Sequence, residues 1–320
     1  MKRYWGCLLS FAVLLAFPAG LFAESLSPMV VFGDSLSDTG NLYIATGGLE
    51  PAPPNYTTGL FTDGPDSVPS TNNPLGVWVQ QLAGMRGITS PAPSLAGGTD
   101  YAYGGALTGH DPNSGGVPWV TDQVNMYLSS NPGGVSASAL YVFWAGANDI
   151  FQGVSPATAV SNLTANVNAL YGAGARDFMW LDMPPLGDTP DGIGSGYGGE
   201  LNELSEEYNS DWLAAIGLLD GEDPGIDIYG VDVYTLVEDM LADPGAYGFT
   251  NVTDPAQGLD VNPNTYLFWD GVHPTTVGHF WVANLANDDL NTPEPQAALL
   301  LGTGLLAGLL LVWRRQSASV

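Results

Sequence analysis

The chain has 320 residues, enough for one large domain or two small ones, and carries 33 acidic against six basic residues. Lys2, Arg3, Arg314, Arg315 and a single acid, Glu294, lie in the two ends, so the body from 24 to 291 holds 32 carboxylates against Arg86 and Arg176, a net of −30. Such a surface repels phosphate backbones and anionic bilayers, which excludes nucleic acid as a partner and favours a neutral substrate.

The N-terminus opens on Lys2 and Arg3, runs apolar from 7 to 22 and reaches Pro18, Gly20 and then the small residue Ala23. That is the layout of a secretory signal peptide over 1–23. The only cysteine, Cys7, falls inside it, so the body has no disulfide and no thiol nucleophile. A short apolar run at 29–32, halted by Gly33-Asp34, predicts a buried first strand. The stretch 47–73, rich in Pro, Gly, Thr and Asn and without a period, reads as a long surface excursion. Further strands are predicted at 140–144, 178–181 and 226–231. Helices are predicted at 75–82, 118–128, 156–171, 200–219 and 234–241, with a last one from about 275 to 287. A second excursion is expected at 187–199. Strands alternating with helices point to one α/β domain over 24–291 with a mainly parallel sheet, and there is no internal repeat or linker to divide it. Beyond it, Asn-Thr-Pro-Glu-Pro at 291–295, an apolar run at 297–313 and Arg314-Arg315 predict a short transmembrane helix with its arginines on the cytoplasmic side. This tail, 292–320, resembles the PEP-CTERM sorting signal, which implies processing by an exosortase-type membrane enzyme and delivery to the envelope or outside.

Four short stretches could carry chemistry. The first strand ends in Phe32-Gly33-Asp34-Ser35-Leu36-Ser37-Asp38-Thr39-Gly40-Asn41. A serine after a buried strand, at the start of a helix, is placed to attack where free N–H groups meet a developing oxyanion, although an N-cap serine has the same appearance. In Asp270-Gly271-Val272-His273-Pro274 the acid stands three residues before the histidine. That spacing lets a carboxylate bind Nδ1 and leaves Nε2 free to take a serine proton, although an Asp-Gly turn before a surface His is common. Asp100-Tyr101-Ala102-Tyr103-Gly104-Gly105-Ala106 offers unobstructed backbone N–H groups, and Gly146-Ala147-Asn148-Asp149 a side-chain amide just past a strand. Each alone is an ordinary turn.

Together, and in this order, the four stretches resemble the sequence blocks of the GDSL (SGNH) hydrolase family, from Met29 to Phe280. Leu181-Asp182-Met183-Pro184-Pro185 also resembles the family's segment after its fourth strand. The resemblance implies a three-layer α/β/α sandwich with a flavodoxin-like sheet and no cofactor or metal. It implies Ser35, Asp270 and His273 as a catalytic triad, with an oxyanion hole from the Ser35 and Gly105 N–H groups and the Asn148 amide. The expected activity is an exported serine esterase or lipase acting through an acyl-enzyme. Its substrate would be a small-molecule, lipid or acylated-polysaccharide ester. The alternative is a non-catalytic envelope protein of the same fold that binds extracellular polysaccharide. One departure is Asp100, where the family's second block begins with Asn; a local role is expected for it. No G-x-S-x-G elbow occurs, which argues against the ordinary α/β-hydrolase arrangement. His110 is expected in a solvated loop and His279 packed on the last helix, and Asp34 and Asp149 are expected to be structural.

Overall fold

The computed structural model describes residues 28–57, 59–63, 76–111, 116–222 and 225–291. The expected leader 1–23 and sorting-like tail 292–320, with its expected transmembrane helix 297–313, lie outside the described residues. Among the described residues no helix is long and apolar enough to cross a membrane.

Four parallel strands form the sheet in the order β1 (Met29–Gly33), β2 (Leu140–Trp144), β3 (Asp177–Leu181) and β4 (Asp227–Val231). Their near-continuous apolar runs follow from burial on both faces, as parallel sheets require. Alternate residues point to opposite layers. Val30, Phe32, Tyr141, Phe143, Phe178 and Trp180 share one core with α3 (Val120–Ser130), α5 (Pro156–Ala173) and α7 (Gly198–Glu222). Met29, Val31, Val142, Trp144 and Leu181 share the other with α2 (Trp78–Arg86) and α9 (Thr276–Asp289). The result is a three-layer α/β/α fold. Each large side chain buried in these layers contributes roughly 1.5–3 kcal/mol.

The predicted strands match within a residue, and the six predicted helices, α8 (Val233–Ala242) among them, are present with ends shifted by at most four residues. Three short helices were not foreseen: α1 (Asn41–Ala45), α4 (Ala147–Phe151) and α6 (Pro190–Ser195). The last lies in the expected excursion at 187–199, where the Thr189 hydroxyl caps it by accepting from the Gly192 N–H at 3.1 Å. The excursion at 47–73 is also not all surface, since Leu60, Thr62 and Asp63 are buried. No helix starts at Ser35 either: residues 34–38 make a single turn, closed by the Asp38 N–H on the Asp34 carbonyl at 3.0 Å.

An additional strip, 99–103, lies beside β1 on the side away from β2. Val31 N–H donates to the Thr99 carbonyl at 3.0 Å, and Tyr101 N–H to the Val31 carbonyl at 2.8 Å. The chain therefore leaves β1 to one side for this strip and to the other for β2. Ligand crevices in open α/β sheets form outside the carboxyl ends of strands at such a reversal. Here that point is the end of β1, next to Ser35.

Burial without cations shapes the acid behaviour. Arg86 binds the Asn291 side chain at 2.7 Å, and Arg176 binds the Tyr171 carbonyl at 3.2 Å and lies over the Tyr171 ring. Asp122 and Asp270 pair with His110 and His273. Burial pushes Asp34 up to about 7 and Asp182 up to about 8, and raises Asp38, Asp100 and Asp149 as well. Carboxyls with raised pKa hold protons more tightly in the folded state, so their contribution to stability is full below the unfolded value near 3.8 and is lost as pH rises through about 7 to 8. Thermal unfolding followed by circular dichroism is expected to show Tm falling between pH 5 and pH 8, by at least about 4–8 °C for a loss of about 2 kcal/mol. A Tm that rises across this range would show that these acids are ionised without penalty.

Candidate active site

Ser35 owes its place to the end of β1. Gly33 leaves no room for a side chain, because a Cβ there would stand 2.4 Å from the Trp144 carbonyl oxygen. The buried Gln123 amide on α3 grips this residue from both sides, accepting from Gly33 N–H at 2.9 Å and donating to its carbonyl at 2.8 Å. The turn that follows is held by carboxylates. Asp34 accepts from Leu36 N–H at 3.0 Å, and Asp38 accepts from the N–H groups of Gly40, Asn41 and Gly104 at 2.6–2.9 Å. Asp100 does have a local role: it accepts from the N–H and hydroxyl of Thr39, both at 2.6 Å, and from Ala102 N–H at 2.9 Å. It thereby ties the serine turn to the strip that leads into Gly105.

The structure brings Ser35, His273 and Asp270 into one hydrogen-bonded chain. His273 Nε2 is 2.7 Å from Ser35 Oγ, and His273 Nδ1 is 2.7 Å from Asp270 Oδ2. The other Asp270 oxygen accepts from the N–H groups of Val272 at 2.9 Å and His273 at 2.7 Å, so the short loop closes on its own carboxylate. Burial opposes the charge on Asp270, but the His273 side chain and these N–H donors outweigh it and hold the carboxyl down at about 2. Immediately afterwards Thr275 caps α9 by accepting from Gly278 N–H at 3.2 Å, and its hydroxyl donates to the Tyr266 carbonyl at 2.7 Å.

Gly105 and Asn148 line the same cleft as Ser35 and His273. Gly105 has φ +77 and open space where a Cβ would be. Among the described residues the N–H groups of Ser35 and Gly105 have no hydrogen-bond partner. The Asn148 amide donates to the Ala106 carbonyl at 3.0 Å and makes only a 3.5 Å contact with Asp34. Its helix, α4, is fixed by Asp149, which accepts from the N–H and hydroxyl of Thr108 at 2.9 and 2.7 Å.

Neither remaining histidine reaches this centre. His110 is largely exposed and bonded to Asp122. His279 sits buried on α9, where burial pushes it down to about 3, and its Nδ1 accepts from Trp78 N–H at 3.3 Å. Among the described residues no group of three or more His, Cys, Asp or Glu side chains is arranged to hold a metal.

The cleft has a volume of about 490 Å³. Its walls are largely apolar, with Leu42, Phe61, Val237, Met240, Leu267 and Val282 among them. Phe61 stacks on the His273 ring with centroids 4.9 Å apart. The Tyr56 hydroxyl donates to Asp270 Oδ2 at 2.7 Å. Neither contact was legible beforehand, because both residues sit in the aperiodic stretch more than 200 positions away in sequence. The presence of aromatics there was the only signal.

The sequence model of the family described as GDSL-like Lipase/Acylhydrolase matches residues 29–286. An "Uncharacterized protein in trpE-trpG intergenic region" of Pseudomonas putida is 31% identical over 83% of this chain and 49% of its own length. Esterase EstA of Pseudomonas aeruginosa is 27% identical over 83% of this chain and 47% of its own. The chain thus spans about half the length of these curated relatives. A phosphatidylcholine-sterol acyltransferase of Aeromonas hydrophila is 25% identical over 87% of this chain and 94% of its own. Among solved structures, Est24, a carbohydrate acetylesterase from Sinorhizobium meliloti, covers 82% of this chain and 97% of its own with TM-score 0.47 and 15% identity. With the match running from β1 into α9, the chain belongs to the GDSL-like lipase/acylhydrolase family.

Proposed function

We propose that the chain is a serine esterase that cleaves carboxylic esters through an acyl-enzyme, with Ser35 as nucleophile, His273 as base and Asp270 as its orienting acid. The observation that carries this reading is the Ser35–His273–Asp270 chain, with both links at 2.7 Å, at the edge of an apolar cleft. His273 Nε2 takes the hydroxyl proton as Ser35 Oγ bonds to the ester carbonyl carbon. Asp270, ionised down to about pH 2, stabilises the imidazolium that results. The carbonyl oxygen, now negative, is met by the unpartnered N–H groups of Ser35 and Gly105 and by the weakly engaged hydrogen of Asn148. The imidazolium passes its proton to the departing alcohol, and water then repeats the sequence on the acyl group and frees Ser35. The names of two relatives, an esterase and an acyltransferase, fit acyl-group chemistry of this kind.

The leader at 1–23 and the sorting-like tail at 292–320 support export, with the tail handled by an exosortase-type enzyme at the membrane. An extracellular or envelope ester, lipid or acylated polysaccharide, is the substrate this implies.

Purified protein is expected to hydrolyse p-nitrophenyl butyrate, with kcat lowered about 10⁴-fold or more in Ser35→Ala. Asn148→Ala is expected to lose about 10²–10³ in kcat with little change in KM, as for one oxyanion donor. Turnover that survives Ser35→Ala in a folded protein would sink the serine mechanism.

The cleft walls also predict chain-length preference. Each CH₂ transferred from water to an apolar wall is worth about 0.8 kcal/mol, roughly fourfold in kcat/KM. Butyrate and hexanoate esters are therefore expected to exceed acetate, and a preference for acetate would show that acyl chains do not enter the apolar part of the cleft.

A further inference from the structure

Residues 55–56 and 61–63 contact the segment 269–276 repeatedly and in the same order. The Asn55 carbonyl accepts from Trp269 Nε1 at 2.8 Å. Tyr56 donates to Asp270 Oδ2 at 2.7 Å. Phe61 stacks on His273. The Thr62 hydroxyl donates to the Pro274 carbonyl at 3.1 Å, and the Asp63 carboxylate accepts from the Thr276 hydroxyl at 2.8 Å. Gln257 Nε2 adds a further tie to the Asn55 carbonyl at 2.8 Å. The fixed points at 55, 62 and 63 bracket Tyr56 and Phe61, so the contacts these two make with Asp270 and His273 belong to a tethered segment.

The two oxygens of Asp270 are served differently. Oδ1 takes two N–H donors from its own loop, which any Asp-Gly-Val-His turn of this shape supplies. Oδ2 takes His273 Nδ1 and, from the distant segment, the Tyr56 hydroxyl. Without that hydroxyl, the oxygen that meets the histidine has one partner, and the carboxylate is anchored on one side only. The Tyr56 ring also packs edge-on against Phe61, with centroids 5.6 Å apart, which places one residue on the acid and its neighbour on the face of the base.

We propose that Tyr56 is a positioning residue for the acid–base pair: its hydroxyl fixes the Asp270 oxygen used by His273, so that Nε2 stays aimed at Ser35. This rests on the serine esterase reading above. The hydroxyl also draws charge from Asp270, which weakens the pull of the carboxylate on the imidazolium. The other titratable groups that feel the charge of His273 are Asp34 and the buried His279, which none of the variants below alters.

The test is steady-state hydrolysis of p-nitrophenyl butyrate by the full chain as wild type, Tyr56→Phe, Tyr56→Met, Asp270→Asn, Tyr56→Phe/Asp270→Asn and Ser35→Ala. In both donor-free Tyr56 variants kcat is expected to fall about tenfold with KM within about twofold. The acid limb of kcat/KM is expected to move to higher pH, because Asp270 without its phenol donor holds the His273 proton more firmly. In the Asp270→Asn background, Tyr56→Phe is expected to change kcat by less than about twofold, since the charged acceptor is already gone. An unshifted acid limb, or the same tenfold loss in both backgrounds, would overturn the proposal and leave Tyr56 as a packing residue. If Ser35→Ala is inactive while the Tyr56 variants match wild type, Tyr56 alone is misassigned. If Ser35→Ala keeps its turnover, the esterase reading fails and this proposal with it.

Discussion

The carboxyl end of β1 is a point of close approach on which the placement of the nucleophile depends. A Cβ on Gly33 would overlap the Trp144 carbonyl oxygen of the neighbouring strand, so the chain can pass only as glycine and must turn at once. Gln123 bonds both backbone groups of that glycine, whose carbonyl also accepts from the Tyr103 N–H at 3.2 Å. Ser35 stands two residues further on, at the reversal of strand order, and its N–H has no partner among the described residues. The strip 99–103 and β2 flank β1, so Gly105 and Asn148 arrive at the same edge as the continuations of its two neighbours. The location of the cleft follows from the sheet, and the sheet from apolar strands buried on both sides.

The acids near this edge show how a chain with two arginines in its body handles buried carboxyls. Asp38, Asp100 and Asp149 are satisfied by backbone N–H groups and threonine hydroxyls in place of cations. These bonds lower the carboxyl pKa only in part, and burial still leaves the net direction upward. Asp270 is the exception because a histidine side chain and two N–H groups converge on it. The difference separates acids that hold turns in place from the one aligned with a proton-transfer partner.

What could be read from the sequence was what is local. The strands were legible because burial on both faces leaves unbroken apolar runs, and the acid three residues before a histidine was legible because a loop that short nearly determines its own geometry. The four blocks were informative through their order, which let a family resemblance join residues far apart in the chain. What stayed hidden was long-range and aperiodic. Gln123 lies on an ordinary helix, and nothing in its surroundings signals that it faces a strand end. The strip 99–103 holds two glycines just beyond it and is too short for a strand pattern. The 47–73 stretch reads as surface by composition, yet Thr62 and Asp63 are buried because their polar groups find partners at 274–276.

The two halves of the site are consequently held by different means. Ser35 and Asn148 extend from β1 and β2, which pair residue by residue, and Gly105 follows the strip bonded along the other side of β1. Asp270 and His273 follow no strand of the sheet. Their loop is held by its own carboxylate, by the Thr275 cap of α9, and by the segment alongside it. A base carried on a loop needs more than its acid partner to keep a 2.7 Å contact with a nucleophile fixed to the sheet. The contacts of 55–56 and 61–63 with 269–276 supply that constraint from outside the loop, so a stretch that composition marks as a surface excursion lies against the catalytic geometry proposed for this chain.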